Sequence, residues 1–235
     1  MEEISWCGYN WIPQERWGQI HPDKKHWWYD KDCVKIDDDN NLILSIRYNP
    51  KYFKKLDFTS ETGVGLVSCT EKFKHGTFKI VAKLPKGKHL WPAFWMWSWD
   101  SWPPEIDIFE GYSNDNPNFF KFRLGKPFGF WNVQTNIHYN EGENTKMKGG
   151  KTHFFGFKDP TQNFIEYKLD WDEKYLKFYY NGRLVRKLTD NKVLEQLNKT
   201  TMNVVINNGI TEEYMLRHRI DSDFIIKSFN YTPKN

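Results

Sequence analysis

Three acidic side chains stand close together in an otherwise apolar stretch. Glu105, Asp107 and Glu110 punctuate the run EIDIFE, whose other residues are Ile and Phe. Side chains of a β-strand alternate between its two faces, so Glu105 and Asp107 share one face. In a regular strand Glu110 would point to the opposite face, and one extra residue at positions 108–109, a β-bulge, would bring it back. The spacing therefore predicts a bulged strand with three carboxyl groups on one face.

Carboxyl groups arranged in this way suit nucleophilic and acid/base chemistry. A retaining glycosidase uses two carboxyl groups about 5–5.5 Å apart, one as nucleophile and one as proton donor. Three acids on one face repel each other as anions, so the pKa of at least one should rise, as a proton donor near neutral pH requires. Asp107 lies between the two glutamates and is placed to share a proton with Glu105.

A solvated polar face on an edge strand is the simpler interpretation of an E-x-D-x-x-E spacing, which often arises by chance. The surrounding sequence argues against it here. Residues 91–104, directly before the acids, are rich in Trp and Pro. Three unpaired acids in an apolar, aromatic setting would cost free energy without a compensating function. We therefore favour the functional interpretation.

The rest of the chain predicts many short strands separated by turn residues. The segments with strand composition are 41–48, 77–84, 93–98, 105–111, 132–139, 164–171, 175–180, 183–187, 202–207 and 224–231. Asn181-Gly182 between two of them is a type I′ hairpin signal. Only residues 190–197 have helical character. This pattern favours an all-β sandwich.

Composition narrows the class of protein. The 235 residues fit one domain, 1–235, and 18% of them are aromatic, including 12 Trp. Most of these rings are expected in the core, although exposed rings suit stacking on sugars. The net charge of +4 is spread without a basic block, so nucleic-acid binding is not expected.

The cysteine content and the hydropathy argue against a disulfide-rich protein and against a membrane-spanning protein. Three cysteines without C-x-x-C spacing do not predict a disulfide framework, and a Cys7–Cys33 bridge is left open. No stretch is apolar enough to span a membrane. Residues 1–11 contain two glutamates and lack the basic start and apolar run of a signal peptide.

Three motifs in sequence order resemble glycoside hydrolase family 16, the group of laminarinases, lichenases, agarases and carrageenases. The family often reads G-x-F-x-x-x-x-K-L-P-x-G, then W-P-A-F-W, then E-I-D-I-x-E. Here these motifs stand at residues 76–87, 91–95 and 105–110. The resemblance runs from about residue 41 onward and is weaker before it. The extra residue in E-x-D-x-x-E is similar to the laminarinase, agarase and carrageenase branch.

The resemblance implies a β-jelly roll of two stacked antiparallel sheets with a concave substrate cleft. It implies Glu105 as nucleophile, Asp107 as its assistant and Glu110 as acid/base. Trp91 and Trp95 would line the sugar site beside the cleaved bond, with ordinary sheet core as the alternative for both.

Two further residues are candidates for the cleft. The resemblance implies that His138 lies on a neighbouring strand within reach of the acids, and a hydrogen-bonded structural histidine is an equal alternative. Trp102, on the loop just before the acids, is included as a cleft residue. No catalytic metal or other cofactor is expected. Relatives often carry structural Ca²⁺, but the frequent aspartate of the last strand falls near Phe224, with Asp223 one residue away, so calcium is not predicted here.

The leading functional hypothesis is an endo-acting, retaining β-glucanase that cuts β-1,3 or mixed β-1,3/1,4 links. One alternative is an endo-hydrolase of a galactan such as agar, porphyran or carrageenan. Another class is a carbohydrate-binding protein without catalysis, and a transglycosylase would use the same residues. A polysaccharide is the expected partner of a monomeric protein. That substrate class suggests an extracellular or periplasmic location, for which residues 1–11 give no export signal.

Overall fold

The structure is a computed structural model that describes residues 3–21, 27–55, 58–87, 90–111, 118–121, 127–130, 132–148, 151–154, 158–211 and 222–234. Strands dominate these residues. In chain order they are β1 (Ile4–Trp6), β2 (Tyr9–Ile12), β3 (Trp28–Tyr29), β4 (Val34–Ile36), β5 (Leu42–Lys55), β6 (Phe58–Val64), β7 (Leu66–Cys69), β8 (Gly76–Lys83), β9 (Ala93–Trp97), β10 (Glu105–Glu110), β11 (Asn118–Lys121), β12 (Pro127–Phe130), β13 (Asn132–Glu141), β14 (Asn144–Met147), β15 (Lys151–Phe154), β16 (Ile165–Asp172), β17 (Tyr175–Tyr180), β18 (Arg183–Leu188), β19 (Asn203–Asn207) and β20 (Ser222–Pro233).

Two large sheets organise the described strands. The first, which we call the site sheet, has the order β1-β2-β7-β19-β9-β10-β13-β14, with β15 also paired to β13. The second, the back sheet, has the order β18-β17-β16-β8-β20-β5-β6-β3, with β4 also paired to β5. Strands β11 and β12 form a separate pair. Strands distant in sequence thus become neighbours, and β10 lies between β9 and β13.

The predicted all-β sandwich is confirmed. Each segment predicted as a strand overlaps one, and the pairings of the described residues are antiparallel apart from the short parallel pair β3–β6. The β17–β18 hairpin turns at Asn181 and Gly182, with φ of 47° and 75°. Two successive positive φ angles are what a type I′ turn requires. The short helix α1 (Asn191–Leu197) begins after Asp190, whose carboxylate accepts the backbone N–H of Lys192.

Alternating side chains build the core between the sheets. In β8 and β16, every second residue is buried and the residues between are partly exposed. Phe78 of β8 and Trp171 of β16 are fully buried in one cluster with Phe94 and Ile106 of the site sheet. Burying a large apolar side chain stabilises a fold by about 1.5–3 kcal/mol. One face of β9 and β10 is therefore committed to the core, which leaves their other face for polar groups.

The structure bears on the expectations about disulfide bonds and membrane spans. Cys7, Cys33 and Cys69 are all free, so the alternative of a Cys7–Cys33 bridge is wrong. Among the described residues, none of the helical segments has both the length and the apolar character needed to cross a bilayer.

Candidate active site

The strand β10 carries the predicted bulge. Against β13, its register shifts between Asp107 and Glu110, and against β9 it shifts between Asp107 and Phe109. Ile108 and Phe109 are consecutive, yet both are fully buried in the core. The two carboxyl groups before the bulge and the one after it therefore open into the same cavity of about 500 Å³. The structure brings Glu105, Asp107 and Glu110 together on one face.

Two tyrosines of the back sheet contact the bulge. The Tyr180 hydroxyl of β17 donates a hydrogen bond of 3.0 Å to the carbonyl of Ile108. The ring of Phe109 lies against Tyr167 of β16, with 4.2 Å between ring centroids. A bulge leaves backbone groups without regular ladder partners, so a buried hydroxyl on a bulge carbonyl satisfies one of them.

Glu105 is surrounded by polar groups from two sides. Its Oε2 accepts a hydrogen bond of 2.7 Å from Nε1 of Trp102, and its Oε1 lies 3.5 Å from Nε2 of His138. The same His138 nitrogen lies 3.5 Å from Oδ2 of Asp107. Burial raises the pKa of Glu105, and the neighbouring Asp107 raises it further, while His138 and the Trp102 N–H lower it.

Asp107 is the most enclosed of the three acids, with 3% of its surface exposed. Burial raises its pKa well above the usual value, and the charge of Glu110 adds to this. A hydrogen bond with Glu105 and the positive charge of Arg186 act in the opposite direction. Because Glu105 and Asp107 are buried neighbours, they share one proton more readily than they carry two negative charges.

Two side chains of the described residues donate hydrogen bonds to Glu110. Nε1 of Trp91 donates to Oε1 over 2.9 Å, and Nδ2 of Asn136 donates to Oε2. Asn136 stands on β13 directly opposite Asp107, and His138, two residues on, stands opposite Glu105. Because alternate residues of a strand share a face, β13 presents both polar side chains to the acids.

The remaining predicted residues also line this cavity. Ala93, Trp95 and Trp97 are the alternate residues of β9 that face it. Nε1 of Trp95 donates a hydrogen bond of 2.7 Å to Oδ1 of Asn207 on β19. Trp102 is 53% exposed, and its ring centroid lies 5.8 Å from that of His138. The structure places all seven predicted side chains in one cavity.

Sequence reasoning favoured packing at the sandwich edge, rather than a place in the cleft, for one wall of the cavity, which we call the N-terminal wall. It consists of rings that precede β4, namely Trp17, His21, Trp27 and Tyr29. Trp17 packs on Trp97 with 5.1 Å between centroids, and Nε1 of Trp27 donates to the distant carbonyl of Ile210. The density of Trp in this segment also allowed a place at the cleft rim, but packing at the sandwich edge was the favoured interpretation for any one residue.

Asn136 and Arg186 were also missed. Asn136 carried a signal, because it lies two residues before His138 and must share its face. Arg186 gave none, since it belongs to a strand of the back sheet whose approach to β13 is invisible in the sequence.

The one group of described residues that could hold a metal ion is part of the same cluster. Ligand atoms of Glu105, Asp107 and His138 lie within 4.8 Å of one another. Such spacing is common in acidic sites without an ion, so it supports no metal assignment. Asp223, the residue nearest the family's calcium-associated aspartate, accepts hydrogen bonds from Ser45 and Arg47.

Two stacked sheets, with a bulged acidic strand at the centre of one, have the architecture of the jelly-roll glycoside hydrolases. The family model for glycosyl hydrolases family 16 matches residues 21–213. This chain belongs to that family.

Individual relatives are more distant. A beta-1,3-glucan-binding protein of Penaeus monodon is 28% identical over 118 residues, which make up 48% of this chain and 31% of that protein. Glucan endo-1,3-beta-glucosidase A1 of Niallia circulans is 24% identical over 183 residues, 74% of this chain and 25% of that protein. The chain thus spans about a third or less of these two relatives.

A solved structure shares the fold. The laminarinase catalytic domain of Thermotoga maritima MSB8 superposes with a TM-score of 0.69 at 20% identity, covering 90% of this chain and 84% of that one. At this identity the likeness concerns the fold alone.

Proposed function

We propose that this protein is an endo-acting, retaining glycoside hydrolase that cuts β-1,3 or mixed β-1,3/1,4 links of a glucan by double displacement. The observation that carries the proposal is the bulge of β10, which turns Glu110 to the face of Glu105 and Asp107. Both glutamates then open into one cavity, where they can act on one glycosidic bond.

The first step forms a covalent intermediate. A carboxylate oxygen of Glu105 attacks the anomeric carbon, and the bond from that carbon to the leaving oxygen breaks. Glu110 gives its proton to the leaving oxygen. In the second step Glu110 takes a proton from water, the water oxygen attacks the anomeric carbon, and Glu105 is released as a carboxylate. Two inversions give net retention.

Asp107 tunes the charge of Glu105 through this cycle. As an anion pair the two would repel strongly at this burial, so they hold one proton between them. Attack converts Glu105 into a neutral ester, which removes its charge from the pair. Asp107 then keeps the proton, and it shares that proton with the Glu105 carboxylate again when the ester is cleaved. His138, within 3.5 Å of both, fixes their relative position.

The lining of the cavity favours a neutral polysaccharide. Its described residues include three acids and many aromatic rings but no Lys or Arg. Aromatic faces suit the C–H faces of glucosyl units, whereas sulfate groups call for cationic donors. A sulfated galactan is therefore the less favoured substrate. The name of the Niallia circulans relative, an endo-1,3-beta-glucosidase, agrees with a β-1,3-glucan.

A binding function without catalysis is the competing class. It has support in the name of the Penaeus monodon relative, a glucan-binding protein. Complete retention of the acid trio in a buried, preorganised arrangement favours catalysis, because three carboxyl groups buried side by side are costly to keep.

Substrate choice and catalysis can be tested together. The protein is incubated with laminarin, barley β-glucan, agarose and carrageenan, and new reducing ends are measured. We expect release from laminarin or barley β-glucan, a mixture of oligosaccharide lengths, and a β-anomer as the first product by NMR. Release from agarose or carrageenan alone would contradict the glucanase proposal, and a first product of the α-anomer would contradict retention.

A variant series separates catalysis from binding. Glu105→Gln should remove nearly all turnover while laminarin oligosaccharides still bind, as measured by calorimetry. Glu141→Gln is the matched control, because Glu141 is an exposed glutamate at the far end of β13. Near-wild-type turnover by the Glu105 variant would exclude that residue as nucleophile. Binding without turnover by the unmodified protein would favour the binding class.

A further inference from the structure

A buried arginine reaches the site sheet from the back sheet. Arg186 lies on β18, where Arg186 and Leu188 are buried while Arg183, Leu184 and Lys187 are exposed. Only 7% of Arg186 is accessible to solvent. Arginine is among the residues least often buried, and burial normally comes with a carboxylate partner.

Arg186 has a different set of partners. Its Nη1 donates to the carbonyl of Thr135 over 2.9 Å and to the Thr135 hydroxyl over 2.8 Å. Its Nη2 donates to the carbonyl of Lys148 over 2.5 Å, and the guanidinium lies 5.6 Å from the ring centroid of Phe178. Among the described carboxylates, none lies within ion-pair distance of it. The acceptors that bind its guanidinium are therefore neutral carbonyl and hydroxyl oxygens.

These hydrogen bonds fix the strand beside the acids. Thr135 stands on β13 between Gln134, which is opposite Glu110, and Asn136, which is opposite Asp107. Asn136 in turn donates to the Glu110 carboxylate. A guanidinium that grips the backbone at Thr135 from the other sheet therefore sets the position of the donor that holds Glu110.

The charge of Arg186 also acts on the acid cluster. It lowers the pKa of Asp107, and Asp107 raises the pKa of Arg186 against the lowering effect of burial. Among the described residues, the Tyr180 hydroxyl also acts on Arg186. The cluster itself contains Glu105, Glu110 and His138 besides Asp107. A positive charge with no carboxylate of its own, in a poorly polarisable interior, favours negative charge nearby.

We propose that Arg186 is a positioning residue for the reaction, which clamps β13 at Thr135 and supplies the buried positive charge that lets the acid cluster carry a negative one. The reaction part rests on the proposed function of Glu105 and Glu110. The charge part rests on the place of the guanidinium at Thr135, next to the residue opposite Asp107, and does not depend on turnover. Arg186 itself does not touch the cavity, since it is absent from its lining.

Two substitutions separate charge from positioning. Arg186→Gln keeps an amide donor for the Thr135 carbonyl and removes the charge. We expect the acidic limb of the pH profile of kcat/KM on laminarin to move upward by about one pH unit, the size of a single-charge effect. Arg186→Lys keeps the charge but loses the pair of guanidinium donors that binds Thr135 and Lys148. The acidic limb of its kcat/KM profile should therefore stay in place while kcat falls severalfold. Arg183→Gln removes the same charge from an exposed site on the same strand and should change neither.

The proposal is overturned if the Arg186→Gln profile coincides with that of the wild type while its rate or stability alone changes, since a purely structural role predicts that outcome. It is also overturned if Arg186→Lys moves the limb as far as Arg186→Gln. Should the glutamine variant fail to fold, Arg186→Lys tests the charge part by itself, which is refuted if the acidic limb moves upward although the positive charge is kept.

A measurement without turnover separates this inference from the proposed function. Trp102 and Trp91 donate directly to Glu105 and Glu110, so protonation of the cluster should change indole fluorescence. The midpoint of the fluorescence titration should rise by about one pH unit in Arg186→Gln and stay in place in Arg183→Gln. If no glucan is hydrolysed but this shift appears, the proposed function fails, while the role of Arg186 as the buried counter-charge of the acid cluster is supported. An unmoved midpoint refutes the counter-charge in either case.

Discussion

Glu15 offers a test of the burial that shapes this site. It is fully buried beside the N-terminal wall, where its Oε2 accepts hydrogen bonds from Nε1 of Trp97 and from the backbone N–H of Arg16 over 3.3 and 3.2 Å. Burial raises its pKa from 4.5 to about 8, against the lowering effect of those two donors. At neutral pH the folded protein therefore holds Glu15 as a neutral acid.

The effect of this proton on stability follows from linkage. Between pH 4.5 and 8 the unfolded chain loses the proton while the folded chain keeps it, so the free energy of unfolding falls as pH rises. Each pKa unit corresponds to about 1.4 kcal/mol, which gives a loss of about 3 kcal/mol by pH 7 and about 4 kcal/mol by pH 8, where Glu15 is half ionised. Above the folded pKa the loss is complete and stays constant.

Glu15→Gln removes the proton and keeps the acceptor for Trp97 and Arg16. Urea unfolding followed by tryptophan fluorescence at pH 5, 6, 7 and 8 should show the variant gaining on the wild type by about 1.4 kcal/mol per pH unit. Glu173→Gln, at an exposed glutamate, is the control and should show no such trend. A constant difference between variant and wild type across this range would refute the reasoning, because it would mean that burial does not hold the proton.

Two further substitutions test the bulge and the nucleophile. Trp102→Phe removes the N–H that lowers the pKa of Glu105, so the acidic limb of kcat/KM should move to higher pH; a profile that falls in height without moving would contradict this contact. Tyr180→Phe removes the donor to the Ile108 carbonyl in the bulge and should lower the free energy of unfolding by about 1–3 kcal/mol, with a loss of kcat. Unchanged urea unfolding and turnover would show that the bulge does not depend on this hydroxyl.

Local patterns predicted ten of the twenty strands that the structure describes. β16 reads IEYKLDWD, and its burial alternates residue by residue as that sequence does. The turn at Asn181-Gly182 needed only the conformational freedom of two residues. Among the strands that were missed, β1 and β2 have three and four residues, and so short a segment has too little pattern to recognise. Their pairing is decided by the neighbouring strand.

In the candidate site too, some features follow from the local sequence and others only from distant contacts. The bulge was predictable because two consecutive core residues, Ile108 and Phe109, separate acids that must share a face. The N-terminal wall was not, since Trp27 is fixed by the carbonyl of Ile210, 183 residues away. Such a contact has no local sequence signature.

By itself, the sequence determined the three acids, the strand that carries them and the face they occupy, because side-chain alternation depends on neighbouring residues alone. The tertiary structure decided how those acids behave. It buried Asp107, placed His138 and Asn136 against the carboxylates, and brought Arg186 under β13 from the other sheet. A carboxyl pKa depends on solvent access and on charges contributed by distant segments, so only the packed sandwich could set it.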